Sequence, residues 1–165
     1  MLTMTFFATA CKSTKKTPPV SGRSALADSA DQVMYGARFN LTDQGILHAQ
    51  LQADTAYFFD DNTRVELIRV NTTFFTNTGV KNAVLTSRRG TYHTNTGLML
   101  ARGNFVVNSE DGRHLESLDL IYDQGHNLIA SDSAFVLTEP NHRLEGICFR
   151  SDPNMQNGHV LKATS

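Results

Sequence analysis

One stretch of this sequence occurs twice, thirty residues apart. Residues 92–107 read YHTNTGLMLARGNFVV and residues 122–137 read YDQGHNLIASDSAFVL, with Tyr, Leu and Phe at matching positions and a polar, glycine-containing turn in the same place. The segments just before them, 83–94 and 113–124, align at the same offset, and residues 49–60 are a looser copy. Each unit predicts a strand, a turn and a returning strand. Because a hairpin of this length cannot bury its own apolar face, neighbouring hairpins must stack.

From about Gln32 onward, clusters of turn-forming residues recur at nearly regular spacing. Gly and Asn tolerate a positive φ, and Asp and Pro initiate turns, so each cluster predicts a reversal of the chain. The segments between the clusters are rich in Val, Leu, Ile, Phe, Tyr and Thr. This pattern predicts an all-β fold. The most helix-like stretch, Ser24 to Val33, predicts one short turn at most.

Apolar residues change parity partway along the repeated strands. Leu98 and Leu100 occupy even positions, whereas Phe105 and Val107 occupy odd ones, and the second copy repeats the change. Side chains alternate between the two faces of a strand, so the change predicts a bulge or bend in mid-strand. Stacked V-shaped hairpins would then enclose an apolar groove with one open long side. The same change separates two further pairs, Leu51 from Phe58 and Leu85 from Tyr92.

The chain begins with MLTMTFFATAC, an apolar run followed by small residues and Cys11. Ten helical residues span about 15 Å, half of a hydrocarbon core of roughly 30 Å, so the run cannot cross a bilayer alone. Ala8–Cys11 resembles a bacterial lipobox, and residues 1–11 therefore predict a truncated signal segment whose cysteine is lipidated. No Lys or Arg precedes the run, which departs from the usual signal pattern, and a start upstream of Met1 is one explanation. The alternative is an apolar terminus with a chance cysteine.

The rest of the chain divides into two predicted parts. Residues 12–30 are rich in Ser, Thr, Pro and Lys and cannot bury enough apolar surface to fold, so they predict a flexible linker. Residues 31–165 carry the strand pattern and are the predicted folded domain. No stretch of the chain approaches 18 apolar residues, so the sequence predicts no complete transmembrane helix.

Charge and motifs argue against several classes of function. The formal net charge is −1 and no long basic run occurs, so nucleic acid is not an expected partner. The sequence contains no nucleotide-binding or nucleophile motif, and its six histidines lack metal-ligand spacing, so we expect no enzyme, no cofactor and no metal site. Cys148, between Ile147 and Phe149, predicts a buried, inert thiol. Arg88 and Arg89 are interpreted as a solvated basic pair, with contact to lipid phosphate as the alternative.

Two adjoining segments resemble a known family. Residues 41–59, LTDQGILHAQLQADTAYFF, and residues 64–79, RVELIRVNTTFFTNTG, together with the GNFVV strand of residues 103–107, are similar to the LptC family. Members of this family are inner-membrane-anchored periplasmic components of lipopolysaccharide export. The resemblance spans about Gln32 to Asp152. It implies an open, twisted antiparallel β-jellyroll built from stacked V-shaped hairpins.

The resemblance also implies a non-enzymatic function. Such a protein binds lipopolysaccharide acyl chains in an apolar groove, receives them from an inner-membrane ABC transporter, and passes them to an LptA-like bridge protein through an edge strand. Familiar members use a transmembrane helix, whereas Cys11 predicts a lipid anchor, so we expect a periplasmic protein anchored at the inner membrane. We expect Val33–Leu41 to meet the transporter and Leu144–Arg150 and His159–Lys162 to dock the bridge protein.

Large aliphatic and aromatic residues of the predicted strands are the candidate lining of the groove, with ordinary core packing as the alternative for each of them. They are Leu51, Phe58, Leu67, Leu85, Tyr92, Leu98, Leu100, Phe105, Leu120, Tyr122, Leu128 and Phe135.

Three other interpretations of the whole chain remain. The first is a soluble LptA-like bridge protein. The second is a structural β-solenoid envelope lipoprotein, which needs parallel rungs. The third is a carbohydrate-active β enzyme, which needs placed carboxylates, and the sequence offers no such pair.

Overall fold

The structure is a computed structural model that describes residues 25–164, with side chains described from Ala25 to Val160. Cys11 and most of the predicted linker lie outside the described residues, so lipidation and the division into segments stay predictions. Helix α1 (Ala25–Ser29) is a single turn at the end of the predicted linker, within the stretch expected to be helix-like. Nine strands follow it.

The strands form one antiparallel sheet in chain order, each strand pairing with the next. The all-β prediction is therefore confirmed, and the antiparallel pairing is incompatible with the parallel rungs of a solenoid. The first and last strands do not pair with each other, so the sheet is open. The strands are β1 (Gln32–Asp43), β2 (Ile46–Phe59), β3 (Arg64–Phe75), β4 (Lys81–His93), β5 (Leu98–Ser109), β6 (His114–Asp123), β7 (Leu128–Glu139), β8 (His142–Ser151) and β9 (His159–Thr164).

The pairing of β1 to β8 is interrupted near mid-strand, as the parity change predicted. These interruptions fall on neighbouring positions across the sheet, and we call this row the kink line. Several of its residues have a left-handed backbone, including Arg69 with φ 53° and Cys148 with φ 61°. The kink line consists of Gly36, Asp54, Arg69, Arg88, Gly103, Asn104, Leu118, Asp132, Ser133 and Cys148.

The kink line divides the sheet into two arms that face each other. Arm A contains the strand halves that meet in the β2–β3, β4–β5, β6–β7 and β8–β9 connections. Arm B contains the halves that meet in the other four turns. The rings of Phe74 on arm B and Tyr122 on arm A pack edge to face with centroids 4.9 Å apart. The sheet therefore buries its apolar face against itself.

The bend that the parity change predicted is present in both β2 and β5, but the buried parity changes only in β2. In β2 one unpaired residue changes the buried parity, so Leu51 and Phe58 both face inward. In β5 two unpaired residues intervene, so the buried parity stays odd on both arms. Met99 is consequently fully buried, whereas Leu98 and Leu100 lie on the opposite, outer face. The sequence pattern predicted that the larger Leu98 and Leu100 face inward. It failed because the inward parity depends on the number of unpaired residues at the bulge, which the pattern does not show.

On β1, β2 and β4, and on the arm A half of β5, small side chains line the inside of the fold next to the kink line, where the two arms converge. Larger side chains lie farther out, where the arms diverge. A Cβ added at Gly90 would lie 3.0 Å from Val70 Cγ2 and 3.4 Å from the Leu100 carbonyl oxygen. The small buried residues beside the kink line on these strands are Ala37, Ala53, Ala56, Ser87, Gly90 and Ala101.

The replacement Gly90→Val should destabilise the protein by about 1–3 kcal/mol, because an overpacked core must shift its neighbours. The midpoint of urea unfolding measures this effect. The control is Gly125→Val, since a Cβ at Gly125 makes only an ordinary contact of 3.6 Å with Asp123 Oδ1. Equal unfolding midpoints for the two variants would contradict the proposed crowding at the kink line.

Candidate functional site: the apolar interior and its seam

Two apolar rows run along the inside of the sheet and face each other across the interior. The arm B row crosses eight strands, and the arm A row crosses six. Neighbouring strands lie about 4.8 Å apart, so seven steps extend the longer row to about 34 Å. The arm B row is Phe39, Leu51, Thr72, Leu85, Val107, Leu115, Leu137 and Leu144. The arm A row is Phe58, Val65, Tyr92, Met99, Tyr122 and Ile129.

Most of the predicted groove residues lie in this interior. Nine of the twelve predicted residues face inward, and none of the nine is more than 9% exposed. Their burial agrees with both a lining and an ordinary core, so ligand contact stays a prediction for each. The nine residues are Leu51, Phe58, Leu67, Leu85, Tyr92, Phe105, Leu120, Tyr122 and Phe135.

The other three predicted residues do not face the interior. Leu98, Leu100 and Leu128 pair with outward-facing partners, and each is half-buried on the outer face of arm A. The inward positions belong to Met99 and Ile129, which sequence analysis missed. Met99 and Ile129 are equivalent positions of the thirty-residue repeat. Each has the same parity as the phenylalanine of its own strand, Phe105 or Phe135, and this pattern could have identified them from the sequence.

The interior between the two rows is filled by its own side chains. Leu51 and Leu85 on arm B, like Met99 and Tyr122 on arm A, have no exposed surface. A cavity of about 30 Å³ lies near Phe135 and Phe149 at the end of the interior closest to β9. That volume is close to the space that a single water molecule needs. An apolar guest can therefore enter this interior only if the two arms part.

The seam is the line where the tips of the two arms meet, opposite the kink line. Gln124, in the β6–β7 turn of arm A, donates a hydrogen bond of 2.7 Å to the Thr42 carbonyl oxygen at the tip of arm B. The Tyr92 hydroxyl donates to the side-chain oxygen of Gln124 over 3.3 Å. A side chain, and not a strand ladder, therefore closes the seam at this point.

Arg113 closes the seam at a second point. Its guanidinium group donates to Glu139 Oε1 at 3.0 Å and to Asp111 Oδ2 at 2.5 Å, both at the tip of arm B. It also donates to the Asn154 carbonyl oxygen at 3.3 Å, which lies in the β8–β9 connection of arm A. The Ser109 hydroxyl donates to the Asp111 carboxylate and, with the charge of Arg113, holds the pKa of Asp111 below its usual range.

The β8–β9 connection, residues 152–158, covers the end of the interior, and we call it the cap loop. Met155 in this loop has φ 60° and is only 6% exposed, since its side chain packs into the apolar core. The Asp152 carboxylate accepts hydrogen bonds from the backbone N–H of Gln156 at 2.8 Å and of Asn157 at 3.3 Å. Hydrogen bonds to the side chains of Asp152 and Arg113 therefore hold the cap loop, and with it the buried Met155, at the seam.

Several other sequence predictions concern single residues. Cys148 is half-buried on the kink line, so the prediction of a fully buried thiol was wrong. Its left-handed backbone turns it out of the inward series, and its Sγ donates to the Asp132 carbonyl oxygen at 3.5 Å. Within residues 25–164, no group of three or more His, Cys, Asp or Glu residues could hold a metal ion.

The edge strands also differ from the sequence prediction. Strand β8, which contains Leu144–Arg150, pairs with β7 on one side and β9 on the other. It is therefore an internal strand and offers no free edge for docking. In the described part of the chain, the free edges belong to β1 and β9.

Burial raises the pKa of Tyr122 above its ordinary value of 10.0, and the neighbouring charge of Asp123 adds to the shift. The unfolded chain releases the hydroxyl proton of Tyr122 near pH 10.0, whereas the folded protein retains this proton. The contribution of Tyr122 to stability is therefore complete below pH 10 and declines as the pH rises above 10, by up to about 1.4 kcal/mol per pH unit.

We expect Tyr122→Phe to reduce the loss of unfolding free energy between pH 10 and pH 11. Urea unfolding at pH 8, 10 and 11 measures this loss. The matched control is Tyr35→Phe, at a tyrosine that is 80% exposed. An equal loss in the wild type and in Tyr122→Phe would contradict the assignment of Tyr122 as a buried neutral phenol.

None of the helices in residues 25–164 has the length and apolar character needed to span a membrane. The fold and the interior define a class of protein, an open β-jellyroll that encloses a continuous apolar interior. Over residues 1–163, nearly its full length, the chain matches the family described as lipopolysaccharide-assembly, LptC-related. The protein therefore belongs to the LptC family, and this confirms the resemblance found in the sequence. Its role is in lipopolysaccharide transport, as a component of the cell envelope. A search of curated proteins found no match to the chain.

Proposed function

We propose that this protein carries lipopolysaccharide by holding its acyl chains between the two arms. It would receive the lipid from an inner-membrane ABC transporter and pass it to a bridge protein. The observation that carries the proposal is the pair of facing apolar rows, which extend across most of the sheet. The buried polar residues in the described part of the chain are one threonine and four serines, and none of them is charged. An interior without charge suits acyl chains, since burial stabilises each methylene by about 0.8 kcal/mol.

The filled interior determines how such a guest would bind. Acyl chains would replace contacts that the two rows already make with each other, so apolar surface is covered before and after loading. The difference in free energy between the empty and loaded states is therefore small compared with the total burial. A small difference suits a carrier, because the lipid has to leave the protein as well as bind to it.

The seam would open while the kink line acts as the hinge. Hydrogen bonds such as the one from Gln124 to Thr42 contribute about 0.5–1.5 kcal/mol each, and those to charged groups somewhat more. A strand ladder would need many such bonds to break together. Closure by isolated side chains therefore makes this line the weakest long side of the fold.

A photoreactive benzoylphenylalanine tests where the lipid lies. At Phe105, which is fully buried in the interior, it should crosslink to lipopolysaccharide. At Leu118, which is 63% exposed on the kink line, it should not. The measurement is the shift of the crosslinked band on a gel, detected with an antibody against lipopolysaccharide. Crosslinking at Leu118 without crosslinking at Phe105 would place the lipid outside the fold and contradict the proposal.

Weakening the seam should speed the uptake of an apolar guest. The replacement Arg113→Gln removes the charged hydrogen bonds that join the arm B tip to the cap loop. A loss of about 1.4 kcal/mol from the closed state raises the open population about tenfold. Stopped-flow fluorescence of N-phenyl-1-naphthylamine should show a similar increase in the binding rate.

The control for this experiment is Arg143→Gln. Arg143 is exposed and pairs with Glu145 on the outer face, at 2.7 Å, so its loss leaves the seam intact. An unchanged uptake rate in Arg113→Gln, or an equal increase in both variants, would show that the seam does not limit access to the interior.

The partners of the carrier would bind at the free edges. Strand β9 presents an unpaired backbone edge that suits the addition of a strand from a bridge protein, and β1 presents another that suits the transporter. We further propose a periplasmic location with an anchor at the inner membrane, supported by family membership and by the lipobox-like sequence that ends at Cys11.

A further inference from the structure

The outer face of arm A carries one row of side chains with an unusual composition. Cross-strand pairing aligns Tyr35, Thr55, Ile68, Arg89 and Arg102 on β1 to β5. Four steps of about 4.8 Å give this row a length of about 19 Å. Arg69 and Arg88 lie beside it on the kink line. We call Tyr35, Ile68, Arg69, Arg88, Arg89 and Arg102 the basic strip.

The charges of the basic strip are not balanced within the described part of the chain. Arg69 pairs with Asp54 at 2.5 Å, whereas no carboxylate lies within 4.0 Å of the guanidinium groups of Arg88, Arg89 or Arg102 in residues 25–160. All three of these arginines are exposed.

Two of these arginines occupy an unfavourable position. Arg89 stands directly opposite Arg102 in the β4–β5 pair. Like charges at opposed positions of an antiparallel pair are destabilising. The next position in the row is Asp119, but its carboxylate accepts a hydrogen bond of 2.8 Å from the Ser131 hydroxyl. Arg69 and Arg102 thus face Asp54 and Asp119 within the fold, whereas Arg88 and Arg89 have no such carboxylate in residues 25–160.

The other members of the basic strip indicate what kind of partner it fits. Tyr35 is 80% exposed, and the half-buried Ile68 lies between it and the arginines. Tyrosine next to arginine is typical of surfaces at a membrane–water boundary, where the ring lies at the level of the headgroups. Guanidinium groups bind phosphate oxygens in a bidentate geometry that lysine cannot form.

We propose that the basic strip rests on the headgroups of an anionic lipid bilayer. An acidic protein surface would also satisfy the arginines and Tyr35, so the experiment below tests it as a separate outcome. Because the strip lies beside the kink line, on the side of the fold opposite the seam, docking would leave the seam free to open. The strip also begins on β1, the strand that is closest in sequence to Cys11, where a lipid anchor is predicted.

Flotation of the full-length protein carrying Cys11→Ser, which cannot be lipidated, tests this proposal with vesicles. The vesicles contain phosphatidylcholine alone or with 30% phosphatidylglycerol. Each arginine near an anionic surface strengthens binding about fivefold. Arg88→Gln combined with Arg89→Gln should therefore lower the partition onto phosphatidylglycerol vesicles at least tenfold, with no change on phosphatidylcholine. Tyr35→Ser added to this double variant should weaken binding to the anionic vesicles further.

The matched control is Lys81→Gln combined with Arg143→Gln, which removes the same number of charges from exposed positions near the tips of arm B. It should change the partition less than twofold. All of these side chains are exposed, so equal urea midpoints should establish that each variant is folded. Equal loss of binding in the two double variants would overturn the proposal, because net charge alone would then explain it.

A further arm of the experiment separates the basic strip from the proposed interior site. Binding of purified lipopolysaccharide to Arg88→Gln/Arg89→Gln should match the wild type. A variant that loses lipopolysaccharide but keeps the vesicles would assign the strip to the cargo and overturn membrane docking. Capture of an acidic protein with unchanged vesicle binding would overturn it as well. Failure of the wild type to bind lipopolysaccharide would affect only the carrier proposal.

Discussion

The fold depends on one constraint, which is that a single sheet has to bury its own apolar face. No helix or second sheet covers that face in residues 25–164, so the strands bend and the two arms cover each other. Unpaired residues on the kink line provide the bend, and small side chains such as Gly90 and Ala101 let the arms converge there. Larger side chains, including Phe74 and Tyr122, fill the wider space beyond.

The same constraint connects stability with function. The two arms are continuous through the backbone at the kink line, whereas at the seam they meet through Gln124, Arg113 and the cap loop. Opening at the seam therefore breaks few hydrogen bonds but exposes the apolar rows to water, which is unfavourable unless a guest covers them. An acyl chain is such a guest. The proposed carrier would thus open in the presence of lipid and close in its absence.

Much of the fold was predictable from the sequence. The repeat and the turn clusters predicted stacked antiparallel hairpins, and the parity changes predicted the bend. The number of unpaired residues at each bulge was not predictable, because hydrophobic pattern does not record it, and Leu98 was assigned to the wrong face for this reason. The seam was also not predictable. Gln124 and Thr42 are 82 residues apart, and neither residue type signals a contact between the tips of two arms. The sequence also does not show that the interior is filled. That depends on how closely the two arms approach each other, which is set by packing across the whole sheet.

The central claim is that the two arms part when lipid enters the interior. Double electron–electron resonance measures this directly with spin labels at Thr78, at an exposed tip of arm B, and Asn95, at an exposed tip of arm A, after replacement of both native cysteines by serine. The distance between these labels should increase by several ångströms when lipopolysaccharide is added. The distance between Asp61 and Asn95, both on arm A, should stay constant. Stoichiometric lipopolysaccharide binding with no change in the Thr78–Asn95 distance would contradict the account.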